Sequence, residues 1–328
     1  VTDRWTAEVT RTAAAFADLV DDGWSLPLPG GGDTARRWSG LSALGAQDLP
    51  LARLAEGHAD AVAVLAELDG PVPGPGERLG VWAAEPPDGR VVARSVGGWR
   101  LTGTKRWCSG ARACTSALVT AHAEDGRRLF LVDLSAPGVV PRPGSWRAAG
   151  MAGSDTVDVE LCDVPATAVG GPRAYLDRPG FWHGGIGVAA VWAGGAHGVA
   201  AALAEAVAAG PDPYRDAAWG AVDVALHAVD AALAVAAAEV DADPLDAAGV
   251  AATRAHRVRG LAVRTGLEVL ATTGRALGAG PAAHDGAHAA RRADLEVYLR
   301  QHHGDRDLAA LADAVRAAAP ADVVRTGR

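Results

Sequence analysis

Only three of the 328 residues are cysteines (Cys108, Cys114 and Cys162), and no two of them form a Cys-x-x-Cys pair. So odd and scattered a set gives no disulfide framework; it fits ordinary buried thiols in a reducing, cytoplasmic setting. Basic runs are missing as well. Asp plus Glu number 39 against 31 Lys plus Arg, for a net charge of −8. No cationic stretch is interleaved with aromatics, so nucleic acid is not an expected partner. The opening VTDRWTAEVTRTAAAF spreads Asp3, Arg4, Glu8 and Arg11 through the region where a signal peptide needs a basic start and then an apolar run. Charge vanishes altogether between Pro179 and Ala204, a run long enough to cross a bilayer. That run is built of Gly and Ala more than Leu and Ile, and it contains His183 and His197. A close-packed buried helix is therefore the expectation, and no membrane partner.

What is present falls into three parts. With 49% hydrophobic residues, the chain can bury a substantial core. In residues 1–77, Trp5, Val9, Phe16 and Leu19 or Val20 fall on one helical face. A second helical run repeats Leu51, Leu54, His58, Val62 and Leu65 at three-to-four spacing. DGPVPGPGE then ends helix. Residues 78–178 change to short β runs: RLGVWAAEP, RVVARSV, GWRLTGTKRWCSG, TSALVTAHA, RRLFLVDL and DTVDVELCDV. Turn pairs such as Asp88-Gly89 and Asp125-Gly126 separate several of them, which predicts an antiparallel meander or barrel. Residues 179–328 read as helices over 181–209, 213–241, 246–278 and 288–318, with breaks at Gly210-Pro211, Asp243-Pro244 and Gly280-Pro281. Long, Ala-rich and poor in aromatics, they fit a four-helix bundle. The expected fold is thus α+β: an N-terminal α-helical part, a central antiparallel β-barrel-like domain and a C-terminal bundle.

Four stretches carry a family resemblance. GVWAAEP resembles the first flavin-side strand of acyl-CoA dehydrogenases, which ends Thr-Glu-Pro. WRLTGTKRWCSGA is similar to their Leu-Asn-Gly-x-Lys-x-Trp-Ile-Thr/Ser segment, and GMAGSDTVDVELCDVPA to the Gly-x-x-x-Ser-x-Thr segment that closes their β domain. LATTGRALGAG resembles the helix end where the family carries Gln-x-x-Gly-Gly. The resemblance implies an FAD-dependent oxidoreductase that oxidises a CH–CH bond of an acyl thioester, with FAD between subunits of a homodimer or homotetramer. Trp107 would lie against the flavin ring, with Cys108 beside it. Ser109 would offer its hydroxyl near N5, and the backbone at Ala84 would face the pyrimidine side. Gly274 and Arg275 would contact the dinucleotide end, together with Gln301. Period-two spacing would place Lys105, Trp107 and Ser109 on one strand face.

The departures are as informative. Ala84 replaces the family's Thr, and PPDGRVV omits the Gly-Ser-Asp loop. GPDPYRDAAWG stands where Arg-x-x-Phe-Gly is usual, leaving Arg215 and Trp219 as loose substitutes. The catalytic Glu has no heir: GIGVAAVWAGGAHG carries no acid, and QHHGDRD brings Gln301 or His302 to the other family position. His302 and His303 are therefore the candidate catalytic residues, as in flavin monooxygenases of the same fold such as the dibenzothiophene monooxygenase-like group. A second alternative is a non-catalytic or degenerate subunit that partners a catalytic homologue. The pair His284 and His288 in HDGAH is read as a loop and a helix start, so no metal site is expected.

Overall fold

A computed structural model describes residues 2–318. Three helices come first: α1 (Thr2–Asp21), α2 (Thr34–Gln47) and α3 (Leu49–Glu67). The strands are β1 (Leu79–Trp82), β2 (Val91–Ser95), β3 (Trp99–Cys108), β4 (Ser116–Ala123), β5 (Gly126–Asp133), β6 (Val139–Arg142) and β7 (Val157–Val169). Helices return as α4 (Ala174–Asp177), α5 (Gly180–Ala208), α6 (Pro213–Ala242), α7 (Ala251–Leu277), α8 (Ala279–His284), α9 (Gly286–Tyr298) and α10 (Asp305–Ala318). Contacts divide the chain into two compact units, one of residues 1–26 and 48–181, the other of residues 27–47 and 182–328.

In the first unit β4, β2, β3, β7 and β5 pair in turn, and β5 pairs back with β4 to close a five-stranded ring. β1 adds to β4 and β6 to β7. The sheet is not purely antiparallel, as the turn pattern predicts: β1–β4 and β2–β4 run parallel. Strand directions cannot alternate all the way round an odd ring, so closing five strands forces one parallel neighbour pair. Closure in return removes the exposed edges. β6 escapes the sequence reading because Pro141 interrupts it, which an edge strand tolerates. Trp82, Leu101, Phe130, Val159 and Leu161 fill the barrel.

Helix α3 starts where Asp48 accepts the Leu51 N–H at 2.8 Å, with Pro50 in its first turn. Its Ala61, Val64 and Leu65 pack with Leu79, Leu118 and Leu129. Phe16 of α1 packs with Leu54, as its spacing predicts, whereas the Trp5 side chain lies outside the described residues. His58 accepts the Leu79 N–H at 3.2 Å, and burial holds its pKa below the usual imidazole range. This histidine is a strut between helix and sheet.

In the second unit, glycines set helix spacing. A Cβ at Gly45 of α2 would stand 2.5 Å from the Val191 carbonyl, and one at Gly194 of α5 would collide with the Ser42 carbonyl. The Gly and Ala content of the charge-free run thus serves backbone-to-backbone packing. Among the described residues two helices, α5 and α6, are long and apolar enough to span a membrane; 78% of α5's most apolar window is buried in the protein, and 39% of α6's. The final helical stretch, predicted as one element, is two. A 3₁₀ turn at Leu299–Gln301 and Gly304 at φ 56° separate α9 from α10. The predicted break at Gly280-Pro281 falls instead at Gly278, φ 67°, and α8 contains the Gly-Pro pair. Asp212 and Asp285 cap α6 and α9, so GPDPYRDAAWG and HDGAH are both helix starts.

Candidate functional site

The two most specific motif segments meet at one end of the barrel. Gly110 N–H donates to the Ser154 carbonyl at 2.8 Å, and Arg112 Nε to the Asp155 carboxylate at 2.9 Å. Between these ties the Ser109 hydroxyl lies 2.9 Å from that of Thr156, which lies 2.8 Å from that of Ser154. Arg53 of α3 donates from Nε to Ser109 at 3.3 Å and pairs with Glu56. Trp82 Nε1–H holds the Ser109 carbonyl at 3.0 Å. Three non-glycine residues here adopt left-handed backbone: Trp107 (φ 57°), Met151 (φ 60°) and Asp155 (φ 45°). Such conformations cost free energy and persist where surrounding contacts impose them, which is common at functional sites.

The left-handed Trp107 corrects the one-face expectation for β3. The register against β7 slips between Lys105 and Cys108, and the bulge breaks the alternation. Lys105 turns inward and is 2% exposed, whereas Trp107 turns outward and is 54% exposed. Cys108 points into the barrel core, and burial pushes its thiol pKa far up, leaving only its backbone for a ligand. Ser109 is buried beside it. Ala84 follows β1 in a half-buried loop. The next turn, at Gly89, sits against Arg106, which pairs with Asp88 and Asp158.

Lys105 is the only lysine in the chain. Its ammonium donates to the Thr120 carbonyl at 2.9 Å and hydroxyl at 2.8 Å, with Glu85 at 3.8 Å. Glu85 also meets Arg127 Nε at 2.9 Å and His122 Nε2 at 3.1 Å. Burial lowers the Lys105 pKa to about 8, although the Glu85 charge opposes the shift. This network fixes the loop that begins at Ala83, whose carbonyl accepts from Arg127 at 2.8 Å.

The other predicted residues lie in the helical unit. Gly274 and Arg275 lie in the last turn of α7; the Arg292 guanidinium covers Gly274, and Arg275 bonds Thr272 at 3.2 Å. Gln301 is exposed on the 3₁₀ turn. His302 follows it with a side chain 6% exposed, its Nδ1 accepting the Gly304 N–H at 3.1 Å. A neutral ring held this way carries its proton on Nε2, which faces Asp307 at 3.8 Å. Burial lowers its pKa. His303 is exposed and pairs with Asp307 at 3.4 Å. Arg215 caps α5, donating to the Ala206 carbonyl at 3.0 Å. Among the described residues no three His, Cys, Asp or Glu gather in a metal-binding group.

The site list from the sequence omits Arg53, Ser154 and Thr156. Both hydroxyl residues stand in the quoted GMAGSDTV motif, so their Ser-x-Thr spacing is the signal. Arg53 gives none, because only tertiary packing brings α3 to β3. The barrel face has the elements a flavin ring needs: an outward indole held in strained backbone, a hydroxyl at Ser109, and an anchored peptide loop.

Comparison with known proteins agrees with the fold. Residues 85–164 match the family model of the acyl-CoA dehydrogenase middle domain. No curated protein matches the chain. Among solved structures, KijD3 in complex with FMN and dTDP-3-amino-2,3,6-trideoxy-4-keto-3-methyl-D-glucose aligns at a TM-score of 0.74 and 18% identity, over 97% of this chain and 93% of that one. Dibenzothiophene monooxygenase TdsC from Paenibacillus sp. A11-2 aligns at 0.73 and 18%, over 93% and 95%. Methanesulfinate monooxygenase MsuC from Pseudomonas fluorescens aligns at 0.68 and 20%, over 94% and 95%. At these identities the likeness is one of fold, and it extends over nearly the whole chain.

Proposed function

We propose that the chain is a flavin-dependent monooxygenase built on the acyl-CoA dehydrogenase fold. The observation that carries this reading is the barrel-end junction, where a strained, outward Trp107 is followed two residues on by the buried Ser109 hydroxyl, itself bonded to Thr156 of the 151–156 segment. Flavin, when bound, supplies the electrons that activate oxygen. Trp107 would wall the ring, Ser109 and the Ala84 backbone would meet its polar edge, and Gly274, Arg275 and Gln301 would hold the dinucleotide end of FAD. The neutral His302, with its proton on Nε2, is suited to donate a hydrogen bond and then exchange a proton. A histidine where dehydrogenases keep a glutamate favours oxygenation over removal of an α-proton. KijD3, TdsC and MsuC support a small substrate bearing nitrogen or sulfur.

The match over residues 85–164 supports a second reading, desaturation of an acyl-CoA. Anaerobic addition of acyl-CoA to the flavin-loaded protein separates the two. Bleaching of the flavin band overturns oxygenation, and substrate-dependent oxygen uptake from reduced flavin supports it. A colourless protein that binds neither FAD nor FMN returns the chain to a non-catalytic scaffold. The resemblance implies FAD, whereas the KijD3 and TdsC complexes contain FMN, so chromatography of the released flavin decides its identity. Four-helix packing of the second unit would join copies into a homodimer or homotetramer, or pair the chain with a homologue. Outward Val224 and Val235 on α6, 70% and 60% exposed, support such an association. Three free cysteines support a cytoplasmic setting.

A further inference from the structure

We infer that α10 is an acid-released latch: it stays docked on α7 while His302 and His256 are neutral and lets go when they take protons. The latch is weakly built. No residue from Asp305 to Ala317 is fully buried, although α10 packs along α7 and its Leu308 lies 3.9 Å from where a Cβ on Gly260 would stand. So little apolar contact leaves the polar junction at the start of α10 to decide whether the helix holds. Release bares the His302 ring, whose side chain is 6% exposed when docked.

That junction needs an unprotonated His302. Its Nδ1 accepts the Gly304 N–H at 3.1 Å, and this bond holds the left-handed turn (φ 56°) from which α10 starts. An imidazolium has a proton on both nitrogens and accepts at neither, so protonation breaks the bond. The added charge finds little to balance it. Asp307 accepts the His303 N–H at 3.1 Å and faces His303 Nδ1 at 3.4 Å and His302 Nε2 at 3.8 Å. Helix α7 adds His256 and Arg259, both within electrostatic reach of Asp307 and His302. Arg259 is held there, stacked over Trp192 at 4.7 Å and donating to the Gly185 carbonyl at 2.9 Å. His256 packs on the Trp182 ring, centroids 5.3 Å apart, and its enclosed Nδ1 has no partner among the described residues. Asp305 and Arg306 are exposed. One carboxylate thus answers one fixed guanidinium, and each further proton is surplus.

Burial lowers the pKa of both His302 and His256; Arg259 adds to the shift and Asp307 opposes it. A released ring takes its proton near the ordinary value of about 6.5. Docking is therefore fully supported above that pH and weakens as pH falls below it. Asp307 does not titrate in this window, because the His303 N–H bond, against the effect of burial, holds its pKa below the usual carboxylate range.

Hydrogen exchange of the full chain, read on peptic fragments and corrected for the pH dependence of intrinsic exchange, tests the latch. Between pH 7.5 and 5.0 the 302–318 fragment should lose about tenfold or more in protection, since each pH unit below 6.5 favours the released state by up to about tenfold per histidine. The 213–242 fragment, from α6, should keep its protection. His302→Asn retains an acceptor for the Gly304 N–H, and His256→Phe retains a ring against Trp182; neither residue titrates. The double variant should hold 302–318 equally well at both pH values. Should it not fold, His302→Asn alone must reduce the acid loss. Three results overturn the latch: a wild-type 302–318 fragment equally protected, or already unprotected, at both pH values; an undiminished acid loss in the variant; or loss from 213–242 together with 302–318, which is global unfolding.

Discussion

Replacing Lys105 with Met removes the only lysine in the chain and leaves its site filled. Glu85 is not orphaned by the change, because Arg127 and His122 still hold it. The pH dependence isolates the charge. Lys105 is held at about 8 from an ordinary 10.5, chiefly by burial. Between those values the unfolded chain binds a proton that the folded chain does not, so this residue makes stability rise with pH across the window. The full difference, 2.5 pH units at 1.36 kcal/mol each, is about 3 kcal/mol. Cys108 and Cys114 have raised pKa values and act in the opposite sense, so the quantity to follow is wild type minus variant, in which they cancel. Urea unfolding followed by circular dichroism at intervals from pH 7 to 10.5 gives that difference directly. It should move in favour of the wild type by about 3 kcal/mol as pH rises. A flat difference would refute the reading of Lys105 as a buried, burdened cation. A difference moving the other way would mean that the Glu85 charge outweighs burial.

Trp107→Gly relieves a left-handed backbone and removes the indole. Urea unfolding should show stability unchanged or about 1 kcal/mol higher, while flavin titration shows affinity about thirtyfold lower, roughly 2 kcal/mol of lost ring contact. Unaltered flavin affinity would remove Trp107 from the site. Gly194→Val drives a side chain into the Ser42 carbonyl and should cost about 3 kcal/mol of unfolding free energy, and a loss below about 0.5 kcal/mol would deny the close α2–α5 approach. His302, its pKa lowered by burial, should stay neutral below the ordinary imidazole range. The acid limb of the turnover profile should accordingly lie below pH 6.5 and disappear in His302→Asn, with flavin binding retained; a limb that persists in the variant belongs to another group.

Much of this fold is legible along the chain because its signals are local. Period-three-to-four spacing marks α3, alternation and turn pairs mark β2 to β5, and Gly-Pro or Asp-Pro steps mark most helix limits. The two motif segments were legible as well, which is why Trp107, Ser109 and the Ser154–Thr156 spacing can be quoted from sequence. Strand direction was not legible, because the parallel β2–β4 pair follows from closing an odd ring and leaves no mark on either strand. Nor was the orientation of side chains after Lys105, where a bulge exchanges the inward and outward faces. Residue identities alone determined that a Lys, a Trp and a Ser stand two apart before a Gly turn. Tertiary structure decided that the first is buried in a barrel, the second is held outward in strained backbone, and the third is bonded to Thr156 and Arg53. The hydroxyl's partners stand 45 or more residues away, and only folding brings Thr156 and Arg53 within reach of Ser109.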